Sequence, residues 1–446
     1  MLLTGTYKHA HPRYVPVSNM AIAQIRPFGQ RYAFVVVAVI FLSLLIAAGL
    51  RSSLSVMMLP LEDSFGWRRD VISLAAAVGI FIYGLAGPFA AALTERIGLR
   101  RTLIGALVLM SGSTALSLLM TEPWHLIATW GVLSGVGSGA VATVLGATIV
   151  NRWFKTNRGL MMGLMSASAA TGLLVFLPLL AMLAEHGGWQ PVAIAVSIAT
   201  AALLPLVYLL VPERPSSIGA WRYGADGPEP EAAVVPGNFL TLTLSTLRKA
   251  AGTRVFWYLF ATFFVCGFTT NGLVGVHLIA FCGDMGIPEV QAAGLLALMG
   301  VFDLIGTTLS GWLTDRFDPR KLLGVYYGLR GLSLIYLPFS GFSGTALTLF
   351  AVVYGLDWIA TVPPTLRLSN EAFGDKSGPI VFGWIVAGHQ VGAATAAFFG
   401  GAMRELQGDY ALAFQIAGMT AIIAAALSML IAKEHPENAL RNAQPA

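Results

Sequence analysis

The segment LTERIGLRRTL at residues 93–103 returns 220 residues later as LTDRFDPRKLL at residues 313–323, an offset close to half of the 446-residue chain. Five of the eleven positions are identical, and two more keep their charge. In each copy an acid and an arginine precede two basic residues, and each copy follows an apolar run. The repeat predicts a chain of two related halves, with this segment at the same place in each.

The composition of the chain excludes a water-soluble globule. Only 11% of the residues are charged and 56% are hydrophobic, whereas soluble domains carry about 25% charged residues. A surface that faces lipid accounts for both values. The two cysteines, Cys266 and Cys282, have no metal-ligand spacing, and no nucleophile–base pattern is present. We therefore expect no metal, no cofactor and no enzymatic activity.

The apolar runs predict the fold class. A helix needs about 20 apolar residues to cross a bilayer, and six such runs lie on each side of a polar stretch. We predict an all-α polytopic membrane protein with 12 transmembrane helices in two pseudo-symmetric six-helix bundles, a duplication typical of transporters. In chain order, the predicted spans 1 to 12 are 32–59, 71–93, 102–120, 124–150, 159–184, 190–211, 255–281, 290–314, 322–340, 345–368, 379–402 and 410–432.

The basic residues predict the orientation. With the N-terminus in the cytoplasm, 22 of the 27 Lys and Arg lie on the cytoplasmic side, and the other five are Arg68, Arg69 and Arg404 outside and Arg51 and Arg330 within spans. The basic balance therefore reflects topology and not a nucleic-acid partner. The end of the linker, Leu240–Ala251, has leucines at helical spacing and predicts a helix on the membrane surface, with a disordered tether as the alternative. The predicted parts are cytoplasmic tails at 1–31 and 434–446, bundles at 32–211 and 254–433, and a cytoplasmic linker at 212–253.

The repeated segments are predicted to act in gating, because they lie at the cytoplasmic ends of spans 2 and 8. Their acids can pair with arginine or cap the next helix, and their basic pairs face the anionic leaflet. The six gating candidates are Glu95, Arg96 and Arg100 in the first half and Asp315, Arg316 and Arg320 in the second.

These segments resemble the signature of the major facilitator superfamily, an acid–Arg–x–Gly–Arg–Arg pattern after span 2 that is echoed after span 8. Residues 151–163 (NRWFKTNRGLMMG), residues 271–286 and Gly408-Asp409-Tyr410 are similar to the monocarboxylate-transporter-like branch. The resemblance implies two bundles that rock around a central site, with spans 1, 4, 7 and 10 lining most of the cavity. We also expect the protein to work as a monomer.

Ionisable side chains within the spans are functional candidates, because they are costly to place in hydrocarbon. Asp303, Arg330 and Asp357 lie about 14–18 Å from the cytoplasmic interface at 1.5 Å per residue. Spans 8 and 9 form a hairpin, so Asp303 can pair with Arg330; a buried pair that only fixes helix packing is the alternative. Asp303 and Asp357 are the proton-coupling candidates. His389 in span 11 is a further candidate, with a buried, hydrogen-bonded histidine as the alternative.

Arg51, late in span 1, is related to Asn271 in span 7 by the same 220-residue offset. A guanidinium can hold a carboxylate through two parallel hydrogen bonds, although Arg51 can instead snorkel to the headgroups. The predicted substrate-binding residues are Arg51, Asn271, Arg330, His389 and Tyr83.

The resemblance implies roles for two of these positions. The family carries a basic residue late in span 1, here Arg51, and a proton-accepting acid in span 8, here Asp303. It usually has an arginine one helical turn after that acid, where this chain has Thr307. Arg330 or Arg51 is therefore expected to hold the substrate carboxylate.

The sequence predicts a secondary active transporter of a small organic anion, foremost a monocarboxylate, that works by alternating access with proton symport. The expected partners are the anion, a proton and the lipid bilayer, and the expected location is a bacterial inner membrane with both termini in the cytoplasm. The alternatives are a proton-coupled exchanger or exporter of another small organic solute and, more remotely, a receptor or sensor on a transporter fold.

Overall fold

The computed structural model describes residues 27–141, 143–225, 227 and 239–431. Most of the predicted N-terminal tail and all of the predicted C-terminal tail lie outside these residues. Most of the described chain is helical, and its only β-type pairing is an isolated backbone bridge between Phe154 and Tyr223. The all-α prediction is confirmed.

The first half contains helices at all six predicted spans. Span 4 differs from the others because it is made of several short helices, one of them a π-helix at Ile127–Leu133. The bounds are Pro27–Phe65 for span 1, Arg69–Ile97 for span 2, Leu99–Leu116 with a short 3₁₀ turn at Ser117–Leu119 for span 3, Pro123–Leu126, Ile127–Leu133, Ser134–Ala140 and Thr143–Trp153 for span 4, Arg158–Gly187 for span 5 and Trp189–Leu210 for span 6.

The second half repeats this order. Span 7 contains a π-helix at Phe268–Val274, and the stretch Val362–Gln407 consists of two helices that meet at a kink and carry the end of span 10 and all of span 11. Gly374 breaks that stretch, since its φ of 76° suits glycine alone. The bounds are Arg254–Gly267, Phe268–Val274 and Gly275–Asp284 for span 7, Glu289–Thr314 for span 8, Pro319–Tyr336 with Leu337–Phe339 for span 9, Gly344–Asp357 for the start of span 10 and Ala411–Met429 for span 12.

Ten of the described helical segments are long and apolar enough to cross a membrane, which confirms a multi-pass membrane fold. The total of twelve stays a prediction, since spans 4 and 5 are not among these ten. Spans 2 and 11, and spans 5 and 8, pack against each other across the two halves. Following the predicted orientation, we call the end that holds the turn between spans 1 and 2 the outer end, and the opposite end the inner end.

The internal repeat is visible in matched contacts at the inner end. Arg100 donates from Nε to the carbonyl oxygen of Val211 at 2.7 Å, and Arg320 donates from Nη1 to that of Ile431 at 3.3 Å. Both the arginines and the carbonyls are 220 residues apart. Each arginine therefore ties the start of the third span of its half to the end of the sixth.

The helix caps at the inner end differ from those predicted for the repeated acids. Span 3 is capped by Glu213, which accepts from the backbone N–H groups of Leu99 at 2.6 Å and Arg100 at 3.0 Å. Span 9 is capped by Asp318, which accepts from the backbone N–H of Arg320 at 3.1 Å. An N-cap residue of the same chain segment lies immediately before its helix, as Asp318 does and Asp315 does not. Glu213 instead reaches the start of span 3 from the segment that follows span 6.

The remaining gating candidates lie at the inner surface. Asp315 is exposed. Arg316 does not pair with Asp315 but stacks on Trp312, with its guanidinium carbon 4.0 Å from the ring centroid. Arg96 is also exposed. The side chain of Glu95 lies outside the described part of the chain.

The described part of the linker has two anchored pieces. Its first residues pack on the first half, where Tyr223 donates its N–H to the carbonyl of Trp153 at 2.8 Å. A helix at Phe239–Ala251 occupies the segment predicted to be helical, and Trp384 of span 11 donates to the carbonyl of Thr243 at 3.2 Å. The position of this helix on the membrane surface stays a prediction.

Candidate functional site

Five of the predicted site residues share one depth in the bundle. Arg51, Tyr83, Asn271, Asp303 and Asp357 each lie thirteen or fourteen residues from the outer end of their helix. At 1.5 Å per residue this is about 20 Å below the outer end, close to the middle of the bilayer. The helices that carry them are spans 1, 2, 7, 8 and 10, so the polar layer includes both halves.

In the first half, Arg51 stacks on Tyr83, with its guanidinium carbon 4.7 Å from the ring centroid. Both side chains are half-buried. No carboxylate or hydrogen-bond acceptor among the described residues pairs with the Arg51 guanidinium. A cation at this depth is costly without a partner, so its donors are available to an anion that enters the layer.

The repeat places Asn271 and Asp303 in the second half at the positions of Arg51 and Tyr83, 220 residues later. Asn271 lies in the π-helix of span 7 and is exposed. Its amide can donate to a ligand, which fits its predicted role at the site.

Arg330 is not arranged as a ligand-binding residue. It is 1% exposed, and its Nε donates to Oδ2 of Asp357 at 2.7 Å. Nη2 donates to the carbonyls of Asp357 at 2.5 Å and Trp358 at 3.2 Å, while Nη1 reaches Cys266 Sγ at 3.1 Å. The expected Arg330–Asp303 pair is therefore corrected to Arg330–Asp357, because the helix of span 9 turns this side chain toward span 10. With every nitrogen engaged by protein atoms, Arg330 has no donor left for a substrate.

Asp303 is nearly buried, at 6% exposure, and forms no ion pair with another described residue. Its Oδ1 accepts from the Thr307 hydroxyl at 2.9 Å and from the backbone N–H of Ile359 at 3.0 Å. Oδ2 has no protein partner in the described chain and is not among its fully enclosed atoms. Asp357 is the opposite case, since its Oδ1 is enclosed and without a hydrogen bond. A proton from the cavity can reach Asp303 more readily than Asp357.

The donor from Ile359 exists because span 10 is interrupted. Pro363 and Pro364 lack N–H groups, so two carbonyls four residues earlier lose their helical partners, and the chain forms a turn at 358–361. One freed carbonyl, that of Ala360, accepts from Ser310 at 2.5 Å. We call residues 358–361 the span 10 turn. It presents backbone groups to spans 8 and 9 that a regular helix keeps to itself.

His389 lies outside this layer. It is eighteen residues from the end of its helix at Gln407, about 27 Å at 1.5 Å per residue. Its ring is half-buried and packs against Phe263 with centroids 5.1 Å apart, next to the Cys266 thiol. The structure therefore places His389 beside Cys266 and nearer the inner end than the polar layer of Arg51 and Asp303.

A network of charges at the outer end was missed by the sequence reasoning. Arg69 of span 2 is 5% exposed and donates from both Nη atoms to the carboxylate of Asp284, each at 2.7 Å. Its Nε donates to Glu62 at 2.7 Å, and Arg404 also donates to Asp284 at 2.8 Å. The backbone N–H of Arg69 donates to Glu405 at 2.9 Å. We call these five residues the outer network; it joins the two halves.

Comparison with known proteins agrees with this architecture. The family model of the Major Facilitator Superfamily matches residues 40–376 and 284–446. The chain is 27% identical to monocarboxylate transporter 13 of Rattus norvegicus over 404 residues, which covers 90% of this chain and 88% of that protein. It is 28% identical to the gallate transporter of Pseudomonas putida over 381 residues, covering 80% of this chain and 81% of the relative.

A solved structure gives the same fold. The crystal structure of a D-xylose–proton symporter superposes with a TM-score of 0.70 at 16% identity, covering 89% of this chain and 97% of that one. Together with the family match, this makes the protein a membrane transporter of small organic solutes and not an enzyme. The chain belongs to the major facilitator superfamily and resembles its monocarboxylate-transporter branch.

Proposed function

We propose that the protein moves a small organic anion, foremost a monocarboxylate, together with a proton by alternating access. The observation that carries the proposal is the unpaired guanidinium of Arg51, half-buried at mid-membrane depth against Tyr83 within the described residues. Asp303 lies at the same depth in the other half with an accessible carboxylate oxygen. The guanidinium of Arg51 suits the anion, and the carboxylate of Asp303 suits the proton.

Arg51 holds the substrate carboxylate in this proposal. Its planar guanidinium can donate two parallel hydrogen bonds, and stacking on Tyr83 fixes the orientation of its plane. Asn271, at the matched position of span 7, adds a neutral donor from the other half. An anion between spans 1 and 7 then contacts both bundles, as alternating access requires.

Asp303 carries the proton. Loading Oδ2 neutralises the carboxylate, and the complex of Arg51 with its anion is also neutral overall. A loaded site without net charge is cheaper to carry across the low-dielectric interior than a charged one. Asp357 serves as the counter-ion of Arg330 and keeps that arginine from adding a free positive charge to the site.

The relatives support the substrate class. Monocarboxylate transporter 13 and the gallate transporter are named for carboxylate substrates, and gallate is an aromatic carboxylate. The D-xylose–proton symporter supports the fold alone, since its identity to this chain is low.

The test is uptake of lactate and benzoate into proteoliposomes with an imposed pH gradient. We expect an acidic outside to stimulate uptake and a protonophore to abolish the stimulation. Arg51→Gln should weaken apparent affinity by about 10- to 100-fold, because each hydrogen bond to a charged group contributes about 1.5–3 kcal/mol, and Arg51→Lys should recover part of it. Asp303→Asn should remove the response to the gradient.

Two exposed residues give matched controls. Arg248→Gln and Asp63→Asn make the same changes of side chain at the surface, and both should behave as wild type. Carboxylate uptake that ignores the gradient, or normal gradient-driven uptake by Asp303→Asn, would refute proton coupling.

An exchanger is the second candidate function, and the replacement of the family arginine by Thr307 favours it. Asp303 has a hydroxyl partner, and no cationic side chain among the described residues is bonded to it that could displace its proton. Under this candidate, preloaded anion accelerates uptake, whereas a pH gradient does not. Uptake that organic cations inhibit, and carboxylates do not, contradicts both candidates.

A further inference from the structure

One peptide group connects Arg330 to Asp303. The carbonyl of Trp358 and the N–H of Ile359 belong to the same peptide unit of the span 10 turn. The carbonyl accepts from Nη2 of Arg330 at 3.2 Å, and the N–H donates to Oδ1 of Asp303 at 3.0 Å. A trans peptide is planar and rigid, and its C=O and N–H point in opposite directions. The orientation of one bond therefore fixes that of the other.

We infer that Arg330 and Asp357 are positioning residues for Asp303, which hold the span 10 turn so that the Ile359 N–H stays on the Asp303 carboxylate. This inference rests on the proposed proton coupling and assigns Arg330 a part in it. Asp357 fixes Arg330 through Nε, and the two carbonyls of Asp357 and Trp358 share Nη2. Neither residue contacts the substrate.

The arrangement links the proton on Asp303 to the hold between spans 8 and 10. A charged carboxylate accepts stronger hydrogen bonds than a neutral carboxyl group. Proton loading at Oδ2 therefore weakens the bond from Ile359 and loosens the turn. The two spans touch through their backbones here, since a Cβ on Gly306 would clash with the Leu356 carbonyl oxygen. Such close contact transmits small shifts of span 8 to cavity-lining span 10.

The charged and titratable groups around Asp303 are consistent with this path. They are Cys266 of span 7, Arg330 of span 9 and Asp357 of span 10. Arg330 touches both of the others, with Nη1 to Cys266 at 3.1 Å and Nε to Asp357 at 2.7 Å. The charge of Arg330 also acts on Asp303 directly through space. Arg330 has no hydrogen bond to Asp303, so among the described residues its hydrogen-bonded connection to the carboxylate runs through the peptide group.

The experiment compares two transport modes of the full-length protein in liposomes with lactate as the probe. Net uptake driven by a pH gradient requires Asp303 to load and release its proton, whereas lactate–lactate exchange at equal pH does not. The double variant Arg330→Met with Asp357→Leu removes both buried charges together, which avoids leaving one unpaired. The matched control is Arg248→Met with Asp63→Leu, an equal change at two exposed positions.

We expect the double variant to lose net uptake about tenfold more than exchange, the factor that corresponds to one hydrogen bond to a charged group. Arg330→Lys keeps the charge without the planar fork and should fall between wild type and the double variant. A purely structural role lowers both modes by the same factor, and that result would overturn the inference.

Amide deuterium exchange of the span 10 turn supplies a measurement that does not depend on transport. The double variant should exchange faster at the turn than wild type, and the control pair should not. Unchanged exchange at the turn would also overturn the inference. If wild-type uptake ignores the pH gradient, the proposed function fails. The deuterium-exchange rates still decide whether Arg330 holds the span 10 turn.

Discussion

Replacement of Arg69 by glutamine should open the outer end of the transporter. Arg69 belongs to the first half and Asp284 to the second, and their two hydrogen bonds of 2.7 Å cross between the halves. When the outer end opens, these bonds must break. Glu62 lies in the last turn of span 1, in the same half as Arg69, so its bond can persist in both states. The bond from the Arg69 backbone N–H to Glu405 also crosses between the halves, but Arg69→Gln keeps it. The variant therefore changes the balance of closed and open protein mainly through the Arg69–Asp284 contact.

The magnitude follows from the chemistry of that contact. A hydrogen bond to a charged group contributes about 1.5–3 kcal/mol net. Asp284 keeps Arg404 as a partner in both states, and water replaces part of the lost contact on opening. A difference of about 2 kcal/mol remains, which corresponds to about a 30-fold change in the ratio of closed to open protein.

Spin labels at Ser64→Cys and Thr345→Cys can measure this change. Both positions are exposed at the outer end, one in each half, while the native Cys266 and Cys282 are buried. Double electron–electron resonance in nanodiscs should show a longer distance gaining population in Arg69→Gln.

The neighbouring arginine gives a matched control. Arg68 is 66% exposed and lies 3.8 Å from Glu405, and exposed ion pairs contribute little. Arg68→Gln should therefore leave the distances as in wild type. If Arg69→Gln has the wild-type distribution, or if Arg68→Gln shifts it equally, the outer network does not hold the halves together.

Two further predictions concern stability. Gly306→Ala should lower the free energy of unfolding by about 1–3 kcal/mol through overpacking, because the new Cβ would clash with the Leu356 carbonyl. The control is Gly311→Ala on the same helix, whose Cβ would meet nothing within 4 Å. Thermal unfolding in detergent compares the two variants, and equal melting temperatures would contradict the close approach of spans 8 and 10. Glu213→Gln should lower stability by about 0.5–2 kcal/mol, as loss of an N-cap does, with faster deuterium exchange at the start of span 3. Protection unchanged at Leu99 would show that Glu213 does not cap this helix.

The sequence by itself determined the membrane class, the placement of the spans and the two-half organisation. These features depend on local quantities, such as the length of an apolar run, and on a direct repeat of residues. The depth of each ionisable group also follows from counting along a helix, because the rise per residue is fixed. For this reason Asp303, Arg330 and Asp357 were expected near the middle of the membrane before any contact was known. Arg51 was expected in the outer half of span 1, and only the structure places it in the same layer.

The tertiary structure alone decided which charges pair. Arg330 was expected to meet Asp303 across the hairpin, yet it meets Asp357, because partner choice depends on how neighbouring helices are rotated and packed. The span 10 turn, where the helix is interrupted, then places a peptide group between Arg330 and Asp303. Proline positions predict that such a break exists, but not which side chains accept the freed backbone groups.

The outer network shows the same limit. The sequence alone indicates only that Arg69 and Arg404 lie on the outer side of the membrane, and it gives no role to Asp284. Arg69 and Asp284 are 215 residues apart in the chain, so no spacing pattern relates them. They meet because the two bundles pack together, and buried opposite charges are tolerated when they are paired and hydrogen-bonded. The order of residues along the chain determines the depth of each charge, and the packing of the two halves determines which charges pair.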